Sequence, residues 1–109
     1  MSHEKHQETI DLLLKCATEC NHCTSACLDE QDVKKLARCI KLNIDCMEVC
    51  YLTASYLSRG SEQGDGIMRI CAEICEACAR ECEKHSNMEH CMRCADICHK
   101  CAEACSQPV

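Results

Sequence analysis

One beat of small and apolar positions runs through most of the chain, on steps of four, three and four residues. Cys16, Cys20, Cys23 and Cys27 set it, and Cys71, Cys75, Cys78, Cys82 and Cys94, Cys98, Cys101, Cys105 repeat it. A fourth block, Cys39, Asn43, Cys46, Cys50, keeps the register with Asn43 in one of the slots. At 100° per residue the four positions of a block fall at about 0, 40, −20 and 20 degrees, a narrow stripe along one helical face. They are the d and a positions of a heptad, where a bundle normally carries Leu or Ile. The flanking positions are small or apolar, among them Ala17, Ala26, Ile40, Leu42, Val49, Ala72, Ile74, Ala79, Ala95, Ile97, Ala102 and Ala104. The opposite positions are polar: Thr18, Ser25, Lys41, Glu48, Glu73, Arg80, Asp96 and Glu103. The pattern predicts four amphipathic helices.

Their limits follow from local chemistry. Asp29 to Asp32 supplies turn and cap residues between the first two helices. Ser86 with Glu89 forms a capping-box pattern at the start of the fourth, and Pro108 closes it. The stretch SRGSEQGDG, from Ser58 to Gly66, has loop composition. Helices are expected near 3–28, 32–58, 66–84 and 87–106. Short connections make successive helices antiparallel neighbours, so the fold class is all-α, an antiparallel four-helix bundle. Adding 55 to the positions of the first two blocks gives those of the last two, from Cys16 to Cys71 and from Cys39 to Cys94. The chain therefore reads as one bundle domain over 1–109, made from a duplicated helical hairpin with units of about 1–58 and 66–109. Cys91 alone stands outside this scheme, opposite Leu36, and extends its own stripe by one step.

Composition changes the picture of the core. Of 109 residues 16 are Cys, with no Trp or Phe and two Tyr, so sulfur takes the place of the usual large side chains. The formal charge of −6 argues against a nucleic-acid backbone or an acidic membrane surface as partner. No apolar run approaches the roughly 20 residues a membrane span requires. The polar opening MSHEKHQE lacks the layout of a secretory signal, which points to a reducing, cytoplasmic setting.

Simple packing does not explain the seam, because Leu or Ala would fill these positions without the oxidation risk of a thiol. Disulfides within a CxxxC would be strained, since residues four apart on a helix have Cβ atoms about 5–6 Å apart against roughly 3.8 Å in a disulfide. Bonds between neighbouring helices would make a disulfide-stapled scaffold, and that alternative stays open beside a zinc-buffering or redox thiol protein. Metal binding fits the spacing best. Seven CxxxC pairs make seven two-sulfur clamps. Soft thiolates select Cu(I), zinc or iron–sulfur clusters. Zinc favours discrete tetrahedral sites, and the ferredoxin run C-x2-C-x2-C-x3-C-P is absent. A long file of sulfurs suits low-coordinate Cu(I), whose sites can share ligands. Exchanging one thiol proton for one Cu(I) leaves the interior neutral, whereas Zn(II) at the same ratio adds a charge at every step. The ceiling is about one Cu(I) per cysteine, roughly 16 ions.

A chain of this length with seven inward CxxxC clamps resembles the copper storage proteins, specifically their cytosolic branch. The resemblance runs from about residue 10 to Cys105. It implies a bundle filled with Cu(I)–thiolate sites, a homotetramer, and loading through one open end that bears histidine. Asn43 departs from an all-cysteine seam; its carboxamide is a poor Cu(I) ligand and is expected to hydrogen-bond a neighbouring thiol or to position a site near the mouth.

The residues also distinguish the two ends. At one end the stripe continues as Leu13, Met68, Thr53 and Leu57, with Tyr51 and Tyr56 nearby, and it reads as plugged. The other carries Cys27, Cys82, His85, Met88, His90, Cys91 and Met92, a landing zone of imidazole, thioether and thiol donors. The expected metal ligands are thus Cys16, Cys20, Cys23, Cys27, Cys39, Cys46, Cys50, Cys71, Cys75, Cys78, Cys82, Cys91, Cys94, Cys98, Cys101 and Cys105, with His85 and His90 at the mouth. His22 and His99 sit on outward positions, and His3 and His6 precede the first seam. The sequence contains no nucleophile–base set and no phosphate-cradling glycine loop, so an enzyme is not expected. Cys91–Cys94 is the one CxxC near a helix start, where redox activity could be tested.

Overall fold

The computed structural model describes residues 6–107. Four long helices carry the chain: α1 (Gln7–Leu28), α2 (Ala37–Ser58), α3 (Gly64–Glu83) and α4 (Glu89–Ser106). A 3-10 turn, Val33–Leu36, leads into α2. Successive helices pack side by side and α4 returns to α1, which closes a square with no close backbone approach across either diagonal. The sulfur pairs give the direction. Cys16 and Cys27 of α1 meet Cys98 and Cys91 of α4, while Cys39 and Cys50 of α2 meet Cys82 and Cys71 of α3, so both pairings are antiparallel. The resulting rod measures 48 × 19 × 18 Å. No helix among the described residues is long and apolar enough to cross a membrane.

The core is the seam. Every one of the 16 cysteines is buried, all but Cys105 with no exposed surface. Ala17, Ala79, Ala95 and Ala102 are buried beside them, and Ile40, Leu42, Ile74 and Ile97 close the gaps between helices. Small residues at these flanks let neighbouring helices approach until their sulfurs touch. The apolar plug closes one end: Ile10, Leu13, Thr53, Leu57 and Met68 are buried. Tyr51 does not join it and stays 47% exposed, while Tyr56 lies half-buried under the Arg59 guanidinium, 4.7 Å from its ring centre.

The helix limits differ from the sequence expectation in three places. Helix α2 starts five residues later than 32, because the chain first makes the 3-10 turn, with Lys35 N–H donating to the Asp32 carbonyl at 3.1 Å. That tighter winding delivers Leu36 to the core at 1% exposure. Helix α4 begins at Glu89 with Met88 at its N-cap and without a side-chain cap, so the Ser86 capping box is not formed. Met88 packs against the core instead, and burial of its thioether replaces what a serine cap would contribute. The loop is also shorter than Ser58 to Gly66, since α3 already starts at Gly64. There a β-carbon would come within 3.3 Å of Leu57 Cδ2, so any larger residue would push the leucine side chain aside by a few tenths of an ångström. Within the loop Gly60 adopts φ 66°, a left-handed conformation that costs glycine little. Residues 3–5 of the expected first helix, His3 and the Pro108 stop lie outside the described residues.

The plug should carry much of the stability of the empty protein. Leu13→Ala is expected to lower the unfolding free energy by about 2–5 kcal/mol, measured by denaturant unfolding under reductant. A loss below about 1 kcal/mol would show that the plug is loosely packed.

Candidate metal centre

Helical steps of four and three, on four helices in antiparallel register, bring the sulfurs into one continuous file. Within helices the Sγ atoms of Cys23–Cys27, Cys71–Cys75 and Cys94–Cys98 are 3.8 Å apart and those of Cys46–Cys50 are 4.0 Å apart. Between helices the separations are similar: Cys20–Cys98 and Cys46–Cys75 at 3.6 Å, Cys16–Cys98, Cys39–Cys82 and Cys50–Cys75 at 3.7 Å, Cys50–Cys101 at 3.9 Å. Single sulfurs have several partners. Cys98 touches Cys16, Cys20, Cys46 and Cys94. A covalently stapled set would instead pair each sulfur with one other at about 2.05 Å. All sixteen thiols are free.

These separations test the two-sulfur clamp. With metal–sulfur bonds near 2.3 Å, a linear site needs its sulfurs about 4.6 Å apart, a trigonal one about 4.0 Å and a tetrahedral one about 3.8 Å. The file therefore lies nearest to three- and four-sulfur cages, and a linear clamp requires a small opening of the side chains. Such cages are present as quartets whose ligand atoms all lie within 4.8 Å of one another. Four of them, from the plugged end inward, are Cys50, Cys71, Cys75, Cys101; then Cys16, Cys46, Cys50, Cys75; then Cys16, Cys20, Cys46, Cys98; then Cys20, Cys78, Cys94, Cys98. Each shares two cysteines with the next. A metal can therefore move one cage along while keeping two of its ligands.

At the end opposite the plug His90 joins Cys23, Cys27 and Cys91 in a further quartet. Its Nδ1 faces the three sulfurs at 3.7, 3.8 and 3.6 Å, while Nε2 lies 3.2 Å from Glu30 Oε2. Donating Nε2–H to that carboxylate leaves the Nδ1 lone pair aimed at the sulfurs, the usual way an outer carboxylate orients a histidine ligand. His85 is placed differently: its Nε2 lies 3.3 Å from Glu81 Oε2 rather than against a sulfur. Glu81 is 5% exposed and also meets Arg38 at 2.8 Å and Lys84 at 3.3 Å. Met88 is half-buried at this end, whereas Met92 points outward at 39% exposure and takes no part in the mouth. His99 bridges Glu83 and Glu76 on the outer surface, away from the sulfurs. Sequence reasoning missed Glu30 and Glu81. Glu30 meets His90 from 60 residues away, which no spacing along the chain could mark, whereas Glu81 stands one helical turn before Lys84 and His85, a spacing that could have marked it.

Burial opposes ionisation of the thiols around His90. Burial, followed by the charge of Cys23, pushes Cys27 up to about 11. Burial also raises Cys91, helped by Cys23, Cys39 and Cys27. For His90 burial alone would lower the pKa, but hydrogen bonds to Cys23 and Glu30 outweigh it and hold it above the ordinary value. Burial likewise opposes ionisation of Glu81, yet Arg38, His85 and Lys84 hold its carboxyl below the usual range.

Thiol quartets joined into one file, with His90 at one end and apolar residues at the other, give the chain the makings of a soft-metal store. The copper storage protein family model matches residues 2–109. The chain belongs to that family. It is 39% identical over 89 residues to an uncharacterized cysteine-rich protein of Bacillus subtilis, covering 81% of this chain and 82% of that one. It is similar to the Cu(I)-bound copper storage protein BsCsp3 of Bacillus subtilis, with a TM-score of 0.88, 38% identity and coverage of 92% and 93% of the two chains. A cytosolic copper storage protein from Streptomyces lividans, solved during copper loading with five coppers, superposes with a TM-score of 0.90 at 38% identity, covering 95% and 91%. The four-helix fold read from the sequence is thus shared with these copper storage proteins.

The Glu81 cluster gives a pH test. A carboxylate held below its ordinary 4.5 contributes stability that is complete above about pH 4.5 and is lost as pH falls through the lowered value. Glu81→Gln should therefore be less stable by about 1 kcal/mol at pH 7. The gap to the natural protein should close below about pH 4.5 in denaturant unfolding under reductant. A gap that persists at pH 3 would assign it to packing instead.

Proposed function

We propose that this protein stores Cu(I) in the cytoplasm, holding many ions on the thiolates of its core. The chained quartets carry this reading, since adjacent cages share two sulfurs and can be filled one after another without rebuilding the bundle. The proposed ligands are Cys16, Cys20, Cys23, Cys27, Cys39, Cys46, Cys50, Cys71, Cys75, Cys78, Cys82, Cys91, Cys94, Cys98, Cys101 and Cys105, in two copies of a helical hairpin. Each Cu(I) replaces one thiol proton, which passes to water, so the interior stays neutral as it fills.

Cu(I) lands on His90 with Cys23, Cys27 and Cys91, the only quartet named above that includes a side chain with appreciable exposure. His85 stands beside this mouth as a second imidazole donor once it leaves Glu81. From there the metal moves inward by exchanging one sulfur at a time. The protein acts as a store rather than an enzyme: all of its thiols are buried, and the imidazole set against them, His90, serves as a fourth ligand to metal. Leu14 and Ile44, exposed at 42% and 39%, support assembly into the homotetramer that the family resemblance implies.

Anaerobic titration of the fully reduced protein with Cu(I), against a competing chelator, is expected to show uptake approaching one ion per cysteine. Saturation after only a few ions would defeat the storage reading, as would free thiols that return only after added reductant.

Loading rates test the mouth. His90→Ala is expected to slow the first phase at least about tenfold, the scale on which metal sites respond to loss of an orienting group. His85→Ala should act more weakly. Equal rates for both variants and the natural protein would remove the histidines from the route.

A further inference from the structure

One position on the seam carries no sulfur. Asn43 has no exposed surface, and its carboxamide lies among thiols of two other helices. Its Oδ1 accepts from Cys78 at 3.1 Å, Cys94 at 3.3 Å and Cys82 at 3.7 Å. Its Nδ2 points back along α2 to Cys39, 3.8 Å away. Cys78 and Cys94 belong to the outermost of the four chained quartets. Cys39 and Cys82 lie on the mouth side, 3.7 Å from each other. The mouth quartet of Cys23, Cys27, Cys91 and His90 shares no residue with the four inner ones. Asn43 therefore stands at the level where the sulfur file passes from the mouth to the inner store.

Resting on the storage reading above, we propose that Asn43 forms a waist in the file and sets the rate at which copper passes between the mouth and the inner cages. At this level α1, α3 and α4 offer sulfur, whereas α2 offers an amide oxygen, a hard donor that holds Cu(I) poorly. Sharing of ligands between successive cages is thereby interrupted on one of the four walls. The same carboxamide changes its role as the metal arrives. In the empty protein three S–H donors converge on one oxygen. When Cys78, Cys82 and Cys94 exchange their protons for Cu(I), those donors vanish and the oxygen is left facing electron-rich thiolates. A half-turn of the carboxamide presents Nδ2–H to them instead, and a hydrogen bond to an ionised sulfur is stronger than one between neutral groups. Asn43 is thus a positioning residue with two states, an acceptor when the core is empty and a donor when it is full.

Stopped-flow loading under argon, with Cu(I) supplied as its acetonitrile complex and followed by the ultraviolet thiolate-to-copper absorption, tests the waist. The natural protein is expected to load in a fast phase at the mouth and a slow phase in the interior. Asn43→Cys, which completes an eighth clamp, should speed the slow phase at least about tenfold and leave the fast one unchanged. A slow phase that is unaltered or slower in that variant overturns the proposal. An independent measurement needs no substitution: the side-chain amide resonances of Asn43 should move downfield as the natural protein fills. Amide signals that stay in place in a fully loaded protein also overturn it. The equilibrium capacity from the same samples separates the two readings. A natural protein that takes up only a few ions defeats storage itself, whereas one that fills to capacity in a single phase defeats only the waist.

Discussion

Contact between neutral thiols is the interaction on which the rest of this structure depends. Sulfurs 3.6–4.0 Å apart are packed as closely as a hydrocarbon core, and they fill the space that Phe, Trp and Leu fill elsewhere. Such a core is stable only while it carries no net charge, since several thiolates in mutual contact would repel strongly in a medium with little water. Burial works in this direction at Cys27 and Cys91, whose pKa values it raises. A monovalent soft cation is the one kind of ligand that can replace each proton without altering that balance. Packing and cargo are thus two aspects of the same neutrality condition.

The two ends of the rod follow from it. Leu13, Leu57 and Met68 make one end apolar, and on the proposed route copper exchanges at the other, which carries His90. There the chain places its polar groups in pairs. Glu30 orients His90, while Glu81 gathers Arg38, Lys84 and His85. Carboxylates at the mouth thereby hold basic groups and are not themselves the first donors met by a soft metal. Asn43 brings the same neutral polar chemistry into the interior, where one oxygen satisfies three thiol donors without introducing a charge.

Much of this was legible along the chain. Cys16, Cys20, Cys23 and Cys27 lie on one helical stripe because four and three bracket the 3.6-residue turn, and that arithmetic needs no neighbour. The same holds for the polar backs, for the small flanks such as Ala79 and Ala95, and for the contrast between a plug of Leu13 and Leu57 and a mouth with His90 and Cys91. Helix starts were less legible. The Ser86 cap was displaced by burial of Met88, and the start of α2 by the tight turn that buries Leu36. In both cases the start of the helix goes with an apolar side chain packed on the core, which requires knowing what surrounds the residue.

Within a helix, then, the sequence by itself determined which side chains face inward, that they are sulfur, and that soft monovalent metal suits them. Local periodicity and ligand chemistry are properties of short segments. Only the tertiary structure decided which sulfurs become neighbours across helices. It chained the quartets by shared pairs, turned His90 toward three sulfurs and His85 toward Glu81, and set Asn43 against Cys78, Cys82 and Cys94. Those relations depend on the axial register of antiparallel helices. A sequence stripe fixes rotation about a helix axis but leaves open how far one helix slides along the next, and that offset is settled by packing of the whole bundle.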